Sequence, residues 1–122
     1  MMERRKDKRI QEENRVVIEF PNPENRGDPW SINAFTRDLS LGGARILTDI
    51  SFSIGSDITM TLFLSKSKQI AKTHGKIKWV RTVDDGLYEI GIEFQHNIPS
   101  SVVTLINHLY RKDQAITTHI HA

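Results

Sequence analysis

The feature that most constrains this fold is a series of short segments in which apolar and polar residues alternate between turn signals. In one of them Ile58, Met60, Leu62 and Leu64 fall on one face at a period of two residues, which is the period of a β-strand. Six such segments at hairpin spacing predict a mainly β protein, a small six-stranded antiparallel barrel. The predicted strands cover residues 15–20, 30–38, 44–48, 58–64, 70–82 and 87–94.

The connections and the C-terminal part carry different signals. Residues 21–29 hold three of the four prolines and predict a loop, and Asp84-Asp85-Gly86 predicts a hairpin turn. After Pro99 we expect a helix that Ser100 or Ser101 caps, because apolar residues then recur at helical spacing. These apolar residues are Val102, Val103, Leu105, Ile106, Leu109 and Tyr110.

Length and composition exclude several classes of protein. A chain of 122 residues predicts one domain with its own apolar core. The chain has no cysteine, which excludes disulfides, zinc ribbons and thiol chemistry. Because no apolar run approaches the length that spans a bilayer, we expect no membrane span and a cytoplasmic protein.

The charge is concentrated at the N-terminus. Residues 1–9 carry a net charge of +3, and the remaining 113 residues carry −1. A protein that binds nucleic-acid polymers usually spreads Lys and Arg over a folded face, so this distribution favours a small local anion. Residues 1–14 are too polar to bury themselves and predict a flexible basic arm. We expect the barrel and its helix to occupy residues 15–112 and a frayed tail to follow at 113–122.

A turn follows the second predicted strand and offers ligand-binding chemistry. The carboxylate of Asp38 can accept two parallel hydrogen bonds from a guanine edge, and Ser40 can present a hydroxyl nearby. Gly42 and Gly43 allow close backbone approach and can direct N–H groups at an anion. The structural alternative is an Asx-turn with two hairpin glycines.

The arm offers complementary groups in Arg4, Arg5 and Arg9. A guanidinium can pair bidentately with guanine O6 and N7, bind phosphate, and stack on a purine. The alternative is a solvated basic tail. Three further residues are weaker candidates: Trp79 as a base-stacking residue or a core residue, and Arg37 and Arg45 as phosphate contacts or solvated strand charges.

Two motifs in this order resemble the PilZ domain family. Arg5–Arg9 is similar to its R-x-x-x-R arm and Asp38–Gly43 to its [D/N]-x-S-x-x-G turn, with supporting similarity at 43–46, 75–80 and 91–94. The resemblance covers about residues 4–112. It implies a six-stranded barrel with a C-terminal helix that binds the bacterial second messenger cyclic di-GMP. The ligand-binding residues that it implies are Arg5, Arg9, Asp38, Ser40 and Gly43, with Arg4 associated with an intercalated ligand dimer.

The sequence therefore predicts a cyclic di-GMP receptor that is not an enzyme. No nucleophile triad, P-loop or metal motif occurs in the sequence, so we expect no catalytic residue, cofactor or metal. The ligand would order the arm and regulate an unidentified protein partner in motility, secretion or polysaccharide output. Two alternatives are a small barrel that binds single-stranded nucleic acid and a protein adaptor without a ligand.

Overall fold

A computed structural model describes residues 9–22 and 27–110 of the chain. Within these residues the chain forms seven strands followed by one helix. The elements are β1 (Arg9–Gln11), β2 (Arg15–Phe20), β3 (Trp30–Ser40), β4 (Gly43–Thr48), β5 (Asp57–Leu64), β6 (Gln69–Asp84), β7 (Leu87–Phe94) and α1 (Pro99–Leu109).

The predicted barrel is confirmed. All strand pairs are antiparallel, and the strands follow the order β1-β3-β2-β5-β6-β7-β4. An additional pairing of β3 with β4 closes the six strands β2 to β7 into a barrel. The short β1 lies outside this ring and pairs with the end of β3.

The barrel interior is filled by the apolar faces that the period of two predicts. Met60 and Leu62 are completely buried, and Ile58 and Leu64 are nearly so. Leu105 and Leu109 of α1 add to the same core. At about 25 cal/mol per Å² of apolar surface, this burial is the main stabilising contribution to the fold.

The long hairpin of β6 and β7 forms as predicted, and Gly86 in its turn adopts a φ of 72°. One detail differs from regular alternation with a period of two, which would place Ile77 and Trp79 on the same face. Ile77 pairs with Ile92 and Trp79 pairs with Gly91, so Lys78 is an extra residue in a β-bulge. The bulge turns Trp79 out of the core, and the residue is 38% exposed.

The helix forms as predicted, but its cap and its buried face differ. Ile98 is the N-cap residue, and no side chain caps the helix; Pro99, whose φ is preset, starts it instead. Ser101 is buried and donates its hydroxyl hydrogen bond to the carbonyl of Lys72. Val103 and Ile106 are exposed, because the buried face runs through positions 101, 105, 108 and 109.

Part of the predicted flexible arm has a defined position in the structure. Residues Arg9–Gln11 form β1, because their backbone groups find partners on the end of β3 that β2 leaves free. Residues 1–8 and the predicted tail at 113–122 lie outside the described residues. None of the described helices is long and apolar enough to cross a membrane.

Candidate ligand-binding site

A cleft of about 850 Å³ lies on the outer face of the sheet where β1, β3, β4, β7 and β6 are neighbours. One row of paired residues crosses all five strands, and its members face the same side because paired residues share a face. The row consists of Gln11, Asp38, Arg45, Gly91 and Trp79. All five residues line the cleft. The site is thus built from residues up to 80 positions apart in the sequence.

Asp38 is the central acceptor of the row. A bulge at Arg37 in β3 keeps Asp38 paired with Arg45. The Oδ1 atom of Asp38 accepts a hydrogen bond from Nη1 of Arg9 at 2.9 Å, and its Oδ2 atom accepts one from Nε of Arg45 at 2.6 Å. The Asp38 side chain is only 3% exposed. Both carboxylate oxygens are therefore occupied by guanidinium groups of the site.

Arg45 is held from a second side by a buried carboxylate. Its Nη1 atom lies 3.6 Å from Oε2 of Glu89, whose other oxygen accepts a hydrogen bond from Nη2 of Arg81 at 2.5 Å. A guanidinium has five N–H groups, so Arg45 keeps donors beyond those used by Asp38 and Glu89. Its fixed position makes it a preorganised donor on the cleft wall.

The turn that follows β3 is fixed by its own side chain and by the neighbouring strand. The Ser40 hydroxyl lies 3.2 Å from both the backbone nitrogen and the carbonyl oxygen of Gly43, and it hydrogen-bonds with both. A Cβ on Gly43 would lie 2.0 Å from the carbonyl oxygen of Ile92, so only glycine fits there. His96 donates from Nε2 to the carbonyl of Leu41 in the same turn.

The indole of Trp79 forms the opposite wall of the cleft, and Gly91 leaves space for it. The Trp79 ring lies over Gly91, where an added Cβ would be 2.1 Å from two atoms of the indole. The β6 bulge also places Lys78 in the cleft lining. Bulges commonly redirect side chains next to binding sites, and this one brings an aromatic face and an ammonium group to the same cavity.

The structure brings most of the predicted site residues together. The predicted residues that line the cleft are Arg9, Asp38, Ser40, Gly42, Gly43, Arg45 and Trp79. Arg37 is exposed and is not part of the lining, because the bulge in β3 leaves it outside the row. Arg4 and Arg5 lie outside the described residues. Sequence reasoning missed the lining residues Gln11, Ala44, Lys78, Gly91, Ile92 and Glu93.

One signal for the missed residues was present in the sequence. Gly91 interrupts an otherwise regular β pattern, and an isolated glycine in a strand indicates close approach of another group. Lys78 had no such signal, since an exposed lysine in a strand is ordinary. Its place in the cleft depends on the bulge, which the strand pairing produces.

The fold is a small antiparallel β-barrel, and guanidinium, carboxylate and indole groups line a cleft on its outer face. The sequence model of the PilZ domain matches residues 3–111. The chain therefore belongs to the PilZ domain family. No curated protein matches the chain as a significant relative.

Solved structures with the same fold include proteins from three bacteria. The PilZ domain of YcgR from Escherichia coli, solved with c-di-GMP, has a TM-score of 0.66 at 12% identity, with 98% of each chain covered. The inhibitor of motility MotI/DgrA from Bacillus subtilis has a TM-score of 0.71 at 15% identity, with 93% of this chain and 53% of that chain covered. The K. pneumonia MrkH–c-di-GMP complex has a TM-score of 0.67 at 16% identity, with 99% and 57% covered.

These similarities show the fold. The chain spans about half the length of MotI/DgrA and MrkH, and it spans nearly all of the isolated YcgR domain. The shared part is therefore the PilZ barrel itself.

Proposed function

We propose that this protein is a receptor for cyclic di-GMP that binds the ligand in the cleft between Arg9 and Trp79. The single observation that carries the proposal is the row across five strands, which places guanidinium, carboxylate and indole groups around one cavity. A dianionic ligand with two flat bases requires these three kinds of group. The structures of YcgR and MrkH with c-di-GMP support the same ligand class.

The charge and size of the cleft suit such a ligand. Three cationic and two anionic side chains line it: Arg9, Arg45, Lys78, Asp38 and Glu93. The cations favour phosphates, and the carboxylates favour the donor edge of guanine. A volume of about 850 Å³ lies within the range of roughly 300–1,000 Å³ that is common for small-molecule sites.

Binding of a guanine edge at Asp38 changes the contacts that this residue makes in the structure. Its two oxygens accept hydrogen bonds from Arg9 and Arg45, and we propose that a guanine edge on Asp38 replaces one of these contacts. A displaced guanidinium then becomes available for a phosphate or for guanine O6 and N7. Glu89 remains as a second partner that keeps Arg45 beside the cleft.

The rest of the arm supplies the remaining part of the proposed site. We assign Arg5 to phosphate and guanine contacts together with Arg9, from the R-x-x-x-R pattern of the family. Arg4 directly precedes this pattern, and we assign to it the binding of a second, intercalated ligand molecule. Ligand stoichiometry tests this assignment, since Arg4→Ala would reduce two bound molecules to one.

The proposed role is regulatory and not catalytic. Closure of the arm on the ligand changes the shape and charge of the outer face beside β1, and a protein partner recognises the altered surface. The partner would act in motility, secretion or polysaccharide output. A nucleic-acid polymer fits the cleft less well, because Trp79 is the one aromatic residue of the described lining, whereas single-strand binders align several.

Calorimetric titration with cyclic di-GMP at low ionic strength tests the proposal. We expect saturable binding of cyclic di-GMP. Cyclic di-AMP should bind at least about tenfold more weakly, because adenine lacks the pair of N–H donors from which Asp38 accepts hydrogen bonds. A single-stranded oligonucleotide is the control for the alternative function. If no heat is released at tens of micromolar ligand, or if the oligonucleotide binds more tightly, the proposed function is wrong.

A further inference from the structure

A second polar cluster joins the segment that follows β1 to α1, and its central side chains, His108 and Glu12, are buried. His108, in the last turn of α1, has a completely buried side chain. Its Nε2 atom lies 2.5 Å from Oε1 of Glu12, and its Nδ1 atom lies 2.7 Å from Oγ of Ser67. Because a carboxylate only accepts, Nε2 donates to Glu12, and the Ser67 hydroxyl can serve Nδ1 as donor or acceptor. None of these residues lines the cleft.

Glu12 is the first residue after β1. Its Oε1 atom also accepts a hydrogen bond from Nδ2 of Asn14 at 3.0 Å, and its Oε2 atom lies 3.8 Å from Nζ of Lys66. Burial raises the pKa of Glu12, but the hydrogen bonds from Asn14 and His108 and the charges of His108 and Lys66 outweigh it and hold the pKa below 4.5. The carboxylate is therefore kept charged at neutral pH as an anchor.

The backbone around Glu12 is held on β3. Its N–H donates to the carbonyl of Arg37 at 3.2 Å, and its own carbonyl accepts from the Thr36 hydroxyl at 2.6 Å. Asn14, which is 1% exposed, accepts from the backbone nitrogen of Ser65 through its side chain at 3.1 Å. The segment that joins β1 to the barrel is thus tied to β3, to the β5–β6 loop and to α1.

This anchorage matters because β1 is weak by itself. It has three residues, and among the described strands it pairs with β3 alone. Such a short edge strand contributes little stability of its own. Its register nevertheless decides whether the Arg9 guanidinium reaches Asp38.

We infer that His108 is a positioning residue for the ligand-binding arm. By holding Glu12, it keeps β1 registered on β3 and Arg9 within reach of the cleft. The effect on the ligand rests on the proposed function, whereas the effect on β1 does not. Because coupling free energies are reciprocal, a ligand that engages Arg9 must also tighten the last turn of α1. The cluster therefore couples the cleft to the C-terminal end of α1.

Amide hydrogen exchange of the protein without ligand tests the first half of the inference. In His108→Gln we expect the Glu12 amide, which bonds to Arg37, to exchange at least about tenfold faster while amides in the middle of β5 keep their rates. Leu105→Ala is the matched control, since it removes a buried apolar side chain of the same helix that cannot hydrogen-bond to Glu12. Unchanged exchange at Glu12 in folded His108→Gln overturns the inference.

Two milder variants cover the case in which His108→Gln does not fold. Ser67→Ala removes the hydrogen bond to Nδ1, and Glu12→Gln weakens the contact from the arm side. Both should accelerate exchange at residue 12 without a general loss of protection. If neither does, His108 has no role in positioning β1.

A double-mutant cycle on cyclic di-GMP affinity tests the second half. We expect His108→Gln to weaken binding about tenfold in the wild-type background and less than about twofold in the Arg9→Ala background, because its effect passes through Arg9. An equal loss in both backgrounds shows a merely structural role and overturns the inference. If the wild-type protein does not bind cyclic di-GMP, the proposed function fails while the exchange experiment still decides the positioning of β1.

Discussion

The cleft and the buried cluster of His108 and Glu12 use charged and polar side chains in opposite ways. In the cleft, the cations that face Asp38 have side chains 31% and 32% exposed. In the buried cluster, the His108 side chain is 0% exposed and that of Glu12 is 6% exposed. A partly exposed cation can exchange its partner for a ligand at low cost, whereas a pair buried on both sides cannot lose one partner without leaving an unpaired polar group. Burial thus separates exchangeable binding groups from permanent structural ones.

The largest expected effect is on the stability of the buried cluster. His108→Ala removes one partner of a buried pair, so we expect the free energy of unfolding to fall by about 3 kcal/mol. Urea denaturation measures this loss. Asp57→Ala is the control, since Asp57 pairs with Lys76 on the surface and such pairs contribute at most about 1 kcal/mol. Equal losses in the two variants would contradict the comparison.

The next effect is on ligand affinity in the cleft. Asp38→Ala removes the acceptor for the guanine edge, and Arg9→Ala removes a charged donor, so each should weaken cyclic di-GMP binding by at least about tenfold. Arg5→Ala should have a similar effect. Titration calorimetry measures the change, with Asp57→Ala again as the variant that leaves affinity unchanged. If Asp38→Ala binds as the wild type does, the role assigned to Asp38 is wrong.

A smaller effect is expected at the aromatic wall. Trp79→Ala removes the stacking surface over Gly91, so we expect affinity for cyclic di-GMP to fall by about fivefold, near the lower limit for a stacked base. Trp79→Phe should retain most of the affinity because it keeps an aromatic face. Equal affinities of the alanine and phenylalanine variants would show that Trp79 does not stack on the ligand.

The smallest effect is a pH dependence of stability at Glu12. The pKa of Glu12 is lowered in the folded protein. The charged carboxylate therefore adds to the free energy of unfolding above the pKa of the unfolded state, and this contribution is lost as the pH falls through the pKa of the folded state. We expect wild type to be more stable than Glu12→Gln near neutral pH, and this difference to shrink as the pH falls below 4.5. Denaturation curves over this range measure it. A difference that stays constant into acid would rule out the charged anchor.

Both clusters also show where sequence reasoning reached its limit. The turn residues Asp38, Ser40 and Gly43 were predicted to act together, and the structure brings them into one cleft. The contribution of Lys78 was missed because it depends on a bulge in β6 that the strand pairing produces. The role of His108 has no sequence signal, since nothing near it in the sequence indicates that Glu12, 96 residues away, is its partner.

The sequence by itself determined the barrel, and it predicted a type of ligand chemistry. Alternation with a period of two and turn residues such as Gly86 are local properties, and each strand shows them without knowledge of its neighbours. Only the tertiary structure decided which residues meet. The row from Gln11 to Trp79 and the contact of Glu12 with His108 depend on strand register and helix docking. These are set by backbone pairing and core packing between distant segments, which no local pattern encodes.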